Sequence, residues 1–388
     1  PANPADLTPP PFSDTLAPPY TSSFFVFDRN LELPYTRQWN LTLEKGLGNR
    51  QKVSASYVGA QGRRLLRAEQ LRNYNAAFVQ QRFGLTTGAI TVLPLDLFGP
   101  APSTAPQAGA PVSITRNGTS SDYHALQLQF QRRLTRGFQA LASYSWSKSL
   151  DDVSDEYTTG IPITDQILRL ERGASDFDFR HVFTTALTYE IQPRTGNAFV
   201  RSALGNWGID AIGRWRSASP FNVITQNFDP LNIGTSRRVD ILSGVPVWLD
   251  DATAPGGRRV NPAAFAVPAT GRQGTLSRNL LRAFSARQID LSLRRQFNLN
   301  EKLRMQFRAE AFNVTNTPNF NDPAASYFGP TFAPCNPNTT NFGCSVSMLG
   351  RGLSGNTGAT QTSPSAGFNS LFQVGGPRSL QLSLKLLF

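Results

Sequence analysis

Long apolar runs are missing from this sequence. No stretch of its 388 residues approaches the roughly 18 consecutive apolar side chains of a membrane helix, so any membrane role would have to be carried by strands. Charged residues are sparse at 16%, and histidine and cysteine occur twice each. The two histidines, His124 and His181, lie far apart, and no G-x-S-x-G elbow supplies a nucleophile. No enzymatic activity and no cofactor are therefore expected. The balance of charge is basic, +12 with a pI near 10.2, but Lys and Arg are scattered and no helix-turn-helix or zinc-ligand module accompanies them. That distribution argues against nucleic acid and leaves anionic lipid head groups or acidic ligands as partners for a basic surface.

What is present is period-two alternation. From Pro377 to Phe388, Leu380, Leu382, Leu384, Leu386 and Phe388 alternate with Ser379, Gln381, Ser383, Lys385 and Leu387, so a strand would place an apolar set on one face and a mostly polar set on the other. The same pattern recurs near 35–45, 51–60, 122–134, 138–148, 180–191, 207–216, 287–297 and 303–314. About nine strands of roughly 10 to 12 residues result, the length a tilted strand needs to cross a bilayer. A mean hydropathy of -0.29 is no objection, because such a strand needs an apolar residue only at alternate positions.

Connections alternate between short, as in GLGNR, TRG and NLNEK, and long, as in Gln61 to Ser120, Ser149 to Phe179, Pro220 to Ala286 and the segment before Gly376. A soluble sandwich shares the alternation but joins its strands mostly by short loops. The expected fold class is therefore all-β: the C-terminal portion of an antiparallel transmembrane β-barrel, with short periplasmic turns and long extracellular loops. In domain terms, residues 1–34 form an irregular extracellular loop segment and residues 35–388 a partial barrel.

Phasing against the apolar face directs Lys52, Arg214, Arg216, Arg294, Arg304, Arg308 and Glu310 to the lumen, together with Glu44, Asp210, Asp290 and Lys385. A mid-bilayer Arg facing lipid would cost about 2 to 4 kcal/mol. Tyr35, Trp39, Tyr57, Tyr123, Trp146, Tyr189, Trp207 and Trp215 fall near strand ends and suit interfacial girdles. His124 is expected outward or at a rim, and His181 at a strand start. Cys335 and Cys344, close together in CNPNTTNFGC, suggest a loop disulfide in an oxidising compartment, with a metal site the lesser reading for want of further ligands. Asp176 and Asp178 read as a junction held by local charge pairs. Asp151, Asp152, Asp155 and Glu156 read as a solvated acidic surface, with calcium or lipopolysaccharide-bridging cation binding as the alternative.

Several segments together resemble the TonB-dependent receptors of the Oar-like, acidobacterial type: PYTRQWNLTLEKGLG, VSASYVGAQGRRLL, YHALQLQFQRRLTRGFQALASYSWSKSLDD, SDFDFRHVF, LRMQFRAEAFNVTNTPNF and SLQLSLKLLF. The terminal strand looks like that of a bacterial outer-membrane barrel, in which Leu384, Leu386 and the final Phe388 would form a signal for the barrel-assembly machinery. The resemblance implies a complete barrel of about 22 strands closed around an N-terminal plug and energised by the TonB complex. The quoted segments touch every expected strand but those at 207–216 and 287–297. Neither plug nor TonB-contacting box is found, so the chain is expected to be a mature piece or fragment that begins inside an extracellular loop. The function implied is uptake of an unidentified bulky nutrient, such as an oligosaccharide or peptide, across the bacterial outer membrane in contact with its lipid. The alternatives are an outer-membrane-anchored surface binding or adhesion protein without active transport, and a soluble β-rich protein.

Overall fold

The computed structural model describes residues 24–71, 112–154, 171–191, 205–225, 237–269, 274–300, 303–331, 333–335, 341–345, 347–348, 351–352 and 378–388. Within them, nine long strands form one antiparallel meander: β1 (Tyr35–Leu47), β2 (Gln51–Leu71), β3 (Val112–Thr135), β4 (Phe138–Asp151), β5 (His181–Ile191), β6 (Trp207–Arg216), β7 (Ala286–Asn298), β8 (Arg304–Phe312) and β9 (Ser379–Leu387). Each pairs with its neighbour in sequence.

Register turns the alternation of each strand into two continuous faces. One row of the ladder reads Leu187, Ala211, Leu291, Ala311 and Leu380 from β5 to β9; the next reads Thr188, Asp210, Ser292, Glu310 and Gln381 on the opposite face. The apolar face is uncovered. Leu382 is 71% exposed and Leu41 65%, and no second sheet packs on them among the described residues. In water that surface would be a severe aggregation liability, whereas in lipid it is the matched surface.

Two strands run further than alternation alone indicates. β2 continues from Gln61 to Leu71 and β3 begins at Val112, so the two climb together past the expected ends near 60 and 122. Register shifts between Gly62 and Leu65 and between Leu65 and Leu66 break the parity. Past a bulge, apolar positions no longer keep one face, which hides a strand from a period-two reading. Residues 1–34 are not all irregular either: Phe24–Phe27 pairs in parallel with Val112 to Thr115, taking the open edge of that extension. Tyr123 pairs in register with Ala60 and Ser149, so it lies on the polar face and not with the outward aromatics Trp39 and Tyr57.

The only cluster of buried apolar side chains among the described residues lies outside the wall. Phe221, Val223, Val239, Val260, Phe265, Leu276, Phe284 and Tyr327 pack together between short ladders such as Trp248–Asp250 with Arg258–Val260. This compact cap is built from the β6–β7 connection and the segment after β8. Within the latter, Cys335 and Cys344 are joined by a disulfide, with Cα atoms 5.6 Å apart.

Arginines fasten the cap to the strand ends. Arg278 reaches the Asp151 carboxylate at 2.5 Å, Arg238 reaches Glu171 at 2.8 Å, and Arg282 reaches Asp178 at 2.6 Å. Arg63 and Arg172 both hold Asp122. This corrects the acidic-surface expectation, since Asp151 is 2% exposed because an Arg from the cap buries it; Asp178, expected in local charge pairs, draws on the distant Arg282 as well as its neighbour Arg180. Asp152 meets Arg172 at 3.4 Å, while Asp155 and Glu156 lie outside the described residues. Paired in this way, the charges avoid the several kcal/mol that an isolated buried ion would cost.

Candidate functional site: the charged face of the wall

The residues phased inward by sequence share one face by register, and the structure brings some of them together. On β7, Arg294 donates to Glu190 on β5 at 3.0 Å and to Asp210 on β6 at 3.1 Å, while Asp210 also accepts from the Thr188 hydroxyl at 2.8 Å. Reaching β5 from β7 means crossing β6, and the crossing point is Gly208. A Cβ there would stand 2.6 Å from the Arg294 guanidinium carbon, so only a glycine lets the side chain lie flat across the strand.

Next to this bridge, Arg308 donates to the Ser292 hydroxyl at 2.8 Å and pairs with Glu310 at 3.0 Å. Asp290 accepts from Gln288 and from the backbone N–H of Asn313, each at 2.8 Å. Together with Asp210, Arg214 and Gln381, these groups line a cavity of about 380 Å³ that opens on the polar face. Arg214 is exposed within it and makes no ion pair among the described residues. The remaining expected residues stand apart. Lys52 pairs with Glu44 at 2.9 Å on the β1–β2 hairpin, Arg216 stacks 4.1 Å over Phe179, and Arg304 sits at the turn end of β8 opposite Leu387.

Glu190, Ser292, Gln288 and Gln381 belong to the cavity or its bridge, although the set of lumen-facing residues expected from sequence left them out. Their parity alone would have found them, since each shares the phase of a charged neighbour two residues away or directly across the ladder. The chemistry on offer is recognition: amides, hydroxyls, three acids bound by arginines, a fourth held by amide donors, and one guanidinium left open. Both histidines lie on the apolar face, each bonded through Nδ1 to a tyrosine hydroxyl at 2.8 Å, His124 to Tyr57 and His181 to Tyr144. His181 also donates its backbone N–H to the Ser217 hydroxyl at 3.1 Å.

Among solved structures, the chain is similar in fold to the outer membrane transporter YddB from Escherichia coli, with a TM-score of 0.48 and 10% identity over 95% of this chain and 34% of that one. The FpvA of P. aeruginosa bound to heterologous pyoverdines aligns at TM-score 0.40 and 12% identity, covering 92% of this chain and 27% of that one. The chain thus spans about a third or less of the length of these structures. No curated protein matches it. A family model described as the outer membrane beta barrel domain matches residues 1–351. With that match and a meander whose leucines face outward uncovered, the chain belongs to the outer membrane beta barrel domain family and is a protein of the bacterial outer membrane.

Proposed function

We propose that this chain is the C-terminal barrel portion of a TonB-dependent receptor of the Oar-like type, moving a bulky nutrient such as an oligosaccharide or peptide across the outer membrane. In this reading residues 35–388 supply part of the barrel and residues 1–34 an extracellular segment. Lys52, Arg214, Arg216, Arg294, Arg304, Arg308 and Glu310 face the lumen, and the plug and TonB complex act through parts of the protein outside this chain. Leu384, Leu386 and Phe388 present the terminal strand to the barrel-assembly machinery. The observation that carries the reading is the polar belt from Glu190 to Gln381, held in fixed geometry by the Arg294 bridge, directly behind a face of exposed leucines. A wall of that kind borders water on the inside and provides polar contacts to a solute without covalent chemistry.

Uptake of labelled oligosaccharides and peptides by cells, with and without a working TonB complex, tests the proposal. Accumulation that stops when TonB is removed supports it. Surface binding that persists unchanged, with no TonB-dependent accumulation, identifies an anchored binding protein instead.

A further inference from the structure

The outward face carries a built feature that uptake does not use. Near the cap-side end of β1 to β6, each histidine is set among aromatics. His124 lies edge to edge with Tyr57, ring centroids 6.1 Å apart, and 6.0 Å from the Trp39 ring, and His181 lies likewise beside Tyr144 at 6.1 Å and 6.4 Å from the Trp215 ring. Trp39 reaches His124 by lying over Gly59, where a Cβ would meet the indole at 2.2 Å. Lys148 stands directly across the ladder from His124, is exposed, and makes no ion pair among the described residues. The acid two residues above His124, Asp122, is already held by Arg63 and Arg172, and Asp152 by Arg172, so these charges balance and Lys148 is left as the cation facing His124.

Below this cluster on the same face runs an apolar groove of about 500 Å³, bounded by Leu43, Val53, Phe130 and Phe183 and floored by Ala55 and Ala142. Lys148 and Ala142 are six residues apart on β4, about 20 Å along the strand. At a tilt of about 40° that projects to about 15 Å, half the hydrocarbon core and so the depth of one leaflet.

We infer that this surface is a specific site for one phosphate-bearing acylated lipid of the cap-side leaflet. An acyl chain fills the groove, the aromatic rings brace the interface, and the phosphate accepts hydrogen bonds from Lys148 Nζ and from the ring nitrogen of His124 not bound to tyrosine. The charge match selects this occupant: a zwitterionic lipid would bring a cation of its own against Lys148, and a phosphate without acyl chains would leave the groove empty. The inference rests on the membrane-facing assignment of this surface and is independent of what the barrel transports.

Native mass spectrometry of the full chain released from detergent tests it, with phosphatidic acid, phosphatidylcholine and inorganic phosphate as probes. One phosphatidic acid should be retained per chain, and retention should fall about tenfold in Lys148→Gln and in Ala142→Phe, which fills the groove, while Lys52→Gln on the other face is unaffected. Circular dichroism confirms that each variant keeps its strand content. Equal retention in all variants, equal retention of phosphatidylcholine, or displacement by inorganic phosphate would overturn the site while leaving the barrel intact. A chain that stays dispersed in water without detergent would instead refute the membrane assignment beneath it.

Discussion

Leu187 and Ala186 offer a direct measurement of which face meets lipid. Both sit at the middle of the eleven-residue strand β5 with side chains on opposite faces. Leu187 is 37% exposed and lies between Ala140 and Ala211, with no acid in its row to receive a cation. Arg at this position would stand near the bilayer midplane and cost about 2 to 4 kcal/mol. At about 1.36 kcal/mol per decade, the folding equilibrium should shift roughly 30- to 1,000-fold. Ala186 lies between Leu141 and Ile212, with Asp290 one strand further along the row, so an Arg there stays in water and near an acid. Denaturant unfolding in phospholipid vesicles, followed by tryptophan fluorescence, should show Leu187→Arg strongly destabilised and Ala186→Arg within about 0.5 kcal/mol of the parent. Equal losses, or a larger loss for Ala186→Arg, would refute the assignment of faces.

Gly208→Val should evict Arg294 from its path to Glu190 and cost about 1 to 3 kcal/mol; in an Arg294→Met background the same change should cost little, which a double-mutant cycle reads directly. Arg278→Met leaves the Asp151 carboxylate buried without its cation, at a cost of about 3 to 5 kcal/mol to cap docking; limited proteolysis should cut the cap while the wall stays protected, and adding Asp151→Asn should restore much of the loss. In the cap, burial raises the Asp322 carboxyl above its ordinary value against the opposing pull of the Ser219 hydroxyl and the Arg216 charge. Its folded form therefore holds the proton more tightly than the unfolded chain does. The resulting penalty is present above the raised value and fades as pH falls toward the ordinary carboxylate range. Asp322→Asn should remove that part of the pH dependence, as seen in near-ultraviolet circular dichroism melts of the cap at stepped pH.

The wall was legible because its signal is local. Leu380, Leu382 and Leu384 alternate with Gln381 and Ser383 whatever the strand pairs with, and the short turns join neighbouring strands, so order and face follow from the chain itself. The climb of β2 and β3 past Gln61 was not legible, because the shifts after Gly62 scramble parity. Nor was the cap, whose core gathers Phe221, Val260 and Tyr327 from short strands with too few residues to show a period.

By itself the sequence determined an all-β chain whose strands alternate apolar with polar positions and are long enough to cross a bilayer. Only the tertiary structure decided which charges meet. Asp151 finds Arg278 across 127 positions, and Arg294 finds Glu190 by passing over Gly208. Alternation is a property of each strand's own pleat, whereas the choice of partner depends on register and close approach between segments that sequence leaves far apart.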